Sequence, residues 1–287
     1  MVTTIHSLVV AGRERLLRAG VSPTTASIDA EVLARTLLGW DRARYIADRD
    51  EPPPDGFPAG YDAWLDRRAE REPVAQILGR REFWGRDFAV SRDVLTPRPE
   101  TELVVEEALA RLGVADAPHR IVDVGTGAGI LAITLALEWP SASVVATDIS
   151  EAALAVAARN AESLDVARRV RFVRTSLLEG VSGPVDLVVS NPPYVPDGAC
   201  TVISRDVRDY EPAVALYGGP DGFGLIRQLL PQAARVLAPG GRLIHEFGAG
   251  QDEAMRAAAA SVPALELECI SEDLQGIPRV AVLRARG

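Results

Sequence analysis

Apolar positions in the first quarter of the chain recur at helical spacing. Ile5, Leu8, Val9, Leu16 and Leu17 fall on one face of a helix, and Ala30, Leu33, Ala34, Leu37 and Leu38 on one face of a second. The second has a legible start and stop. Ser22 stands where a cap belongs, Pro23 in the first turn, where its missing N–H is harmless, and Gly39 where a left-handed residue ends a helix. Pro52-Pro53-Pro54-Asp55-Gly56 predicts a turn, and a further short helix runs through Tyr61, Trp64, Leu65 and Arg68. Residues 1–75 therefore read as a small helical bundle.

The period changes after that. Between 76 and 97, Phe83, Trp84, Phe88, Val90 and Val94, with Gly79 and Gly85, predict a hairpin linker. From 98 to 287 the pattern predicts strands at 120–124, 143–147, 170–174, 185–190, 242–247, 265–270 and 279–283. Helices are predicted near 129–138, 151–164 and 222–237. Strands alternating with helices imply a largely parallel sheet covered on both faces. The last two strands are joined by too few residues for a helical crossover, which predicts an antiparallel edge hairpin. The expected architecture is α/β, with a mixed seven-stranded, Rossmann-like sheet behind the bundle and hairpin.

With 47% hydrophobic and 25% charged residues in 287, the composition is that of a globular protein able to bury a core. No apolar run reaches about 18 residues, so no membrane span is expected. The first ten residues lack a basic region and a cleavage pattern, so they do not read as an export signal, and a cytoplasmic protein is expected. Cys200 and Cys269 fit two reduced thiols there. His6, His119 and His245 are scattered, and His245-Glu246 lacks a second histidine at zinc-protease spacing, so no metal is expected. The net charge of −9 argues against nucleic acid as the primary ligand, because proteins that grip phosphates are usually basic.

Two segments carry chemistry. Asp123-Val124-Gly125-Thr126-Gly127-Ala128-Gly129 follows the first strand of the sheet and opens a helix. Its glycines let backbone approach a ligand where a side chain would collide. Gly-x-Gly-x-Gly differs from the Gly-x-Gly-x-x-Gly of dinucleotide enzymes, and together with Asp123 it favours S-adenosylmethionine. Asp148 ends the next strand and suits a ribose, unless it only caps the following helix. The second segment, Asn191-Pro192-Pro193-Tyr194, follows the fourth strand, at the sheet edge where ligands of such folds sit. The Asn191 side-chain oxygen and the Pro192 carbonyl are two acceptors for a planar NH2 group, and Tyr194 offers a flat wall.

The chain resembles the protein-(glutamine-N5) methyltransferases of the HemK/PrmC family along nearly its whole length. The matching segments are Ser22-Pro23, Pro73 to Gly79, Glu82 to Gly85, Pro97-Arg98-Pro99-Glu100-Thr101-Glu102, the Gly125 loop and Asn191 to Tyr194. Tyr210-Glu211-Pro212, Gly218 to Gly222 and Gly276-Ile277-Pro278-Arg279 complete the set. The resemblance implies methyl transfer from S-adenosylmethionine to the glutamine of the Gly-Gly-Gln loop of peptide-chain release factors. It implies that Asn191 and Pro192 hold the amide while Pro193 and Tyr194 line it. Gly125, Thr126, Gly127, Ala128, Gly129, Asp148, Leu177 and Asn191 would border the cofactor, and the bundle would engage the release factor. The family often has an acidic residue near the adenine, where this chain reads Thr175-Ser176-Leu177-Leu178. Three other readings stay open: a ribosomal protein L3 glutamine methyltransferase, which typically has Arg-Ser-Pro at the Arg98 segment, an adenine-N6 methyltransferase using the same clamp on a flipped base, and a non-enzymatic binding module.

Overall fold

A computed structural model describes residues 3–113, 115–199 and 203–287. Cys200 lies outside the described residues. The chain divides into two compact units, Met1–Gly79 with Ser204–Tyr210 and Arg80–Ile203 with Glu211–Gly287.

In the first unit, α1 (Ile5–Arg18) and α2 (Pro23–Leu38) pack with α4 (Phe57–Ala69) around Leu16, Leu33, Tyr61 and Leu65. Ser22 caps α2 by accepting from the Thr25 N–H, and Gly39 ends it at φ 66°. Two short helices were not visible in the pattern. One is α3 (Arg42–Asp48), capped by Asp41; the other is α5 (Val74–Leu78), which carries the bundle on to Gly79. Tyr61 is buried, and its hydroxyl donates to the Ala30 carbonyl at 2.9 Å, which satisfies the one polar atom it brings into the core.

The hairpin is not a linker between units but part of the second. Strands β1 (Arg80–Phe83) and β2 (Arg86–Ala89) turn through Trp84 at φ 53° and Gly85 at φ 69°. A positive φ at both central residues matches the right-handed twist of the strands, though tryptophan rarely accepts it. Trp84 is held there by its N–H to Glu102 Oε1 (2.7 Å) and its indole N–H to Glu138 Oε1 (3.0 Å). Phe83 and Phe88 enter the core in edge-on contact.

A 3-10 turn, Pro99–Thr101, leads into α6 (Glu102–Leu112), and the sheet then follows. Its elements are β3 (Arg120–Val124), α7 (Ile130–Glu138), β4 (Ser143–Asp148), α8 (Glu151–Ser163), β5 (Val170–Arg174) and β6 (Val185–Ser190). After the short α9 (Arg205–Tyr210) come α10 (Gly224–Val236), β7 (Leu237–Glu246), α11 (Asp252–Ala260), β8 (Leu265–Glu272) and β9 (Pro278–Ala285). The seven strands lie in the order β5-β4-β3-β6-β7-β9-β8, the first five parallel and the last two joined as the expected antiparallel hairpin. The chain winds outward from β3 through β4 to β5, then returns to β6 on the other side of β3. That reversal opens a crevice at the C-terminal ends of β3 and β6.

One segment after β6, Ser204–Tyr210, does not stay with the sheet. Helix α9 belongs to the first unit, where Asp206 accepts from Arg68 Nη2 at 2.7 Å and from Arg71 Nε at 2.6 Å. Arg68 is 2% exposed and also pairs with Asp29 at 2.6 Å. Gln76 donates to the Tyr210 carbonyl, and the Tyr210 hydroxyl to that of Glu70. The expected division at residue 75 therefore moves to 79, and one later segment joins the bundle.

Candidate active site

The crevice is a cleft formed wholly by the second unit. One side is built by the loop after β3. The Gly125 and Thr126 N–H groups both donate to the Thr147 carbonyl at 2.9 Å, which ties the loop to the end of β4. Gly125 (φ 71°) and Gly127 (φ 55°) adopt the left-handed conformation, and a Cβ on either would meet nothing within 4 Å. Both therefore border open space on the cleft wall, with Thr126 and Ala128 between and beside them. Gly129 differs. It is not on the wall, and a Cβ there would lie 2.8 Å from Ile133 Cδ1 and 3.1 Å from Ala157 Cβ, so its hydrogen permits helix packing.

Asp148 reaches the cleft from the end of β4. Its Oδ2 accepts from Gly127 N and its Oδ1 from Ser150 N, each at 2.9 Å. Ser150 itself caps α8, accepting from Ala153 N, so Asp148 is not spent as the cap. Each carboxylate oxygen keeps a lone pair for a further donor. Ile149, the next residue, is 56% exposed and lines the cleft, as does Leu177. Leu177 sits at φ 48°, with its carbonyl accepting from Thr147 Oγ1 at 2.9 Å. Thr175 and Ser176 line the same end.

Beneath the loop, Asp123 is buried. Its Oδ2 accepts from Thr126 Oγ1 (2.6 Å) and Ala132 N (3.1 Å), while Oδ1 has no hydrogen-bond partner. Burial pushes its carboxyl up to about 7, against the pull of those two hydrogen bonds, and the Asp148 charge adds to the rise. An orphaned acceptor on a cleft wall is well suited to a cationic or NH-bearing ligand. The glycine cradle, the open lone pairs of Asp148 and the apolar pair Ile149 and Leu177 likewise suit a nucleoside carrying a positively charged tail.

The other side is the turn after β6. Asn191, Pro192 and Pro193 line the cleft. The Asn191 Nδ2 donates to Thr101 Oγ1 at 2.9 Å, leaving Oδ1 free; the Pro192 carbonyl also accepts no hydrogen bond among the described residues. The two acceptors expected for an NH2 group are thus both open. Tyr194, expected as a flat wall of the site, is half-buried and does not line the cleft; its hydroxyl donates to Glu246 Oε1 at 3.0 Å. Burial and the neighbouring Glu246 charge push that phenol well above its usual range.

The turn is braced from outside by backbone packed on backbone. A Cβ at Gly218 would overlap the Pro193 carbonyl oxygen, and one at Gly222 that of Tyr194. Gln251 donates to the Tyr194 carbonyl at 3.0 Å, and Val195 N to that of Leu216 at 2.9 Å. Arg98 lines the cleft with its Nη2 held by both oxygens of Glu211 at 2.9 and 2.7 Å, which ties the two segments together. Asn160 joins the hairpin to the glycine loop by donating to the carbonyls of Ala89 (3.0 Å) and Ala128 (2.8 Å). None of Thr101, Glu246, Ile149 or Asn160 was singled out by sequence for the site. Thr101 did lie inside a recognised motif, but a motif does not reveal which side chains meet.

Residues 7–79 match the PrmC N-terminal domain family and residues 101–207 the Methyltransferase small domain family. The chain is 42% identical over 261 residues to a release factor glutamine methyltransferase of Bradyrhizobium diazoefficiens, covering 90% of this chain and 88% of that one. It is 42% identical over 272 residues to a protein of the same name from Cereibacter sphaeroides, covering 94% of each. Among solved structures, a methyltransferase from Pyrococcus furiosus superposes with a TM-score of 0.53 at 18% identity, covering 79% of this chain and 99% of that one, which shows a shared fold.

Proposed function

Because the chain belongs to the release factor glutamine methyltransferases, we propose that Asn191 and Pro192 hold the side-chain amide of a release-factor glutamine, the one in its Gly-Gly-Gln loop. The methyl donor is S-adenosylmethionine, in the cradle of Gly125, Thr126, Gly127 and Ala128. The observation that carries this reading is the pair of unspent acceptors, Asn191 Oδ1 and the Pro192 carbonyl, on the same cleft as the glycine cradle.

Asp148 would accept from the ribose hydroxyls, Ile149 and Leu177 would enclose the adenine, and the Asp123 Oδ1 would face the cationic tail. When bound, the cofactor supplies an electrophilic methyl group on a sulfonium sulfur. The chain supplies orientation. An amide nitrogen is a weak nucleophile because its lone pair is delocalised, and fixing it in line is worth on the order of 7–11 kcal/mol. The two acceptors hold both N–H groups while positive charge grows on nitrogen, which favours the transition state over the ground state. No carboxylate belongs to the clamp itself. The nitrogen becomes acidic as its new bond forms, so its proton can leave to water.

The bundle carries no cofactor motif and is the part read as engaging the release factor. A glutamine loop alone offers far less surface than the roughly 1,200–2,000 Å² of a specific protein interface. Tritium transfer from labelled cofactor tests the reading: label on a purified release factor and none on an adenine-containing oligonucleotide is expected. Label on the oligonucleotide alone would overturn it.

A further inference from the structure

We propose that Thr101 and Glu246 are positioning residues that decide which end of the Asn191 carboxamide faces the substrate, through a one-way hydrogen-bond relay that also seats Tyr194. The proposal rests on the reading of the clamp above. A carboxamide is nearly symmetric in shape but not in chemistry. With its oxygen toward the cleft, Asn191 accepts from an NH2 group; turned over, it presents donors to donors and the clamp fails.

The relay removes that ambiguity. A threonine hydroxyl has one proton, and that of Thr101 is given to Glu246 Oε2 at 2.7 Å. The Thr101 oxygen can therefore only accept from Asn191, and at 2.9 Å only Nδ2 can be the donor. Glu246 Oε1 takes the Tyr194 hydroxyl at 3.0 Å, so one carboxylate terminates both branches as pure acceptor. Thr101 is 0% and Glu246 1% exposed, so water does not compete for these bonds. The elements converge without sequence proximity: Thr101 closes the 3-10 turn before α6, and Glu246 ends β7, beside the end of β6.

The relay needs Glu246 as a carboxylate, the form in which its two oxygens accept from the Thr101 and Tyr194 hydroxyls together. Burial sets its carboxyl above the ordinary range; the hydrogen bonds from Thr101 and Tyr194 and the Arg279 charge oppose that rise, and the Glu100 charge adds to it. Arg279 is fixed by Asp273 at 3.0 Å. His245, next in chain, is buried and pushed down to about 4, so it is neutral at physiological pH. A protonated Glu246 would reverse a branch of the relay.

The test uses the full chain with release factor and cofactor, comparing Thr101→Val, Thr101→Ser and Glu246→Gln with wild type. Thr101→Val keeps the shape and removes the hydroxyl. Its kcat should fall roughly 5- to 100-fold, the range of one hydrogen bond lost in a buried site. KM for release factor and calorimetric cofactor affinity should stay within about twofold, since neither Thr101 nor Glu246 lines the cleft. Thr101→Ser, which restores the hydroxyl, should recover most of the kcat. Glu246→Gln, which sets an NH2 donor against one of two hydroxyl donors, should lower it. A separate readout is the Asn191 side-chain NH2 signal by NMR, protected from exchange in wild type and Thr101→Ser and exposed in Thr101→Val. Wild-type kcat in Thr101→Val or Glu246→Gln overturns the relay, as does a Thr101→Ser chain no better than Thr101→Val. A wild-type chain that leaves release factor unmethylated overturns the functional reading instead, and the NMR comparison still decides the relay.

Discussion

Removing the Asn191 side chain takes away one of the two acceptors left open on the clamp. Asn191→Ala should therefore lose about 2.7–4 kcal/mol of transition-state stabilisation, with the fold intact, and single-turnover transfer near the wild-type rate would contradict the clamp. Asp123 behaves differently, because its effect appears in stability. Its folded-state carboxyl titrates near 7 rather than at the ordinary 3.8. Below pH 4 it is protonated folded or unfolded, and nothing is lost. As pH rises from 4 to 7 the unfolded chain gives up this proton and the folded chain keeps it, so stability falls. Above 7 the loss is constant, on the order of 4 kcal/mol at about 1.36 kcal/mol per pKa unit. Melting curves without cofactor should show this slope in wild type and not in Asp123→Asn; equal slopes would mean that Asp123 is ionised throughout. At this scale the sequence was legible where a residue acts through its own chemistry, as Asn191 and Asp148 do. It was silent where a residue acts through a distant partner, as Thr101 does through Glu246, 145 residues away.

The glycine loop shows how elements divide a motif. Gly127→Ala meets open space, so beyond roughly 1–2 kcal/mol of left-handed strain its added methyl enters the cradle. Gly129→Ala meets Ile133 and Ala157, adding about 1–3 kcal/mol of overpacking to similar strain. Gly127→Ala should thus lower cofactor affinity, about tenfold or more, at modest cost in stability, and Gly129→Ala should do the reverse. Melting temperature and calorimetric affinity measured on both variants check it; parallel losses would erase the distinction. All seven strands were legible, the central ones as nearly continuous Val, Ile and Leu and the edge strands β5 and β8 as apolar residues mixed with polar ones. Helices α6 and α11 were not. The first, Glu102–Leu112, begins inside a motif whose Pro-Arg-Pro lead reads as loop. The second, Asp252–Ala260, is largely alanine, with a weak apolar stripe for a periodicity reading to find.

At the scale of the molecule, the segment after the clamp belongs to the bundle, which no local pattern announces, because Arg68, Arg71 and Asp206 meet across more than a hundred residues. Asp206→Ala should leave the Arg68 guanidinium, whose side chain is 3% exposed, with Asp29 as its remaining carboxylate, and destabilise the bundle by about 3 kcal/mol. Cofactor affinity should not change, because the cleft is built by the other unit. Denaturation followed beside calorimetry checks this, and a loss of cofactor binding with bundle stability unchanged would contradict it. The net charge of −9 is unlike that of domains that grip nucleic acid through phosphates. The most direct measurement is tandem mass spectrometry of a release factor after incubation with this chain and S-adenosylmethionine. The account predicts one added methyl group on the side-chain nitrogen of the Gly-Gly-Gln glutamine, absent with Asn191→Ala. A glutamine left unmodified, or a methyl group carried on another residue, would contradict it.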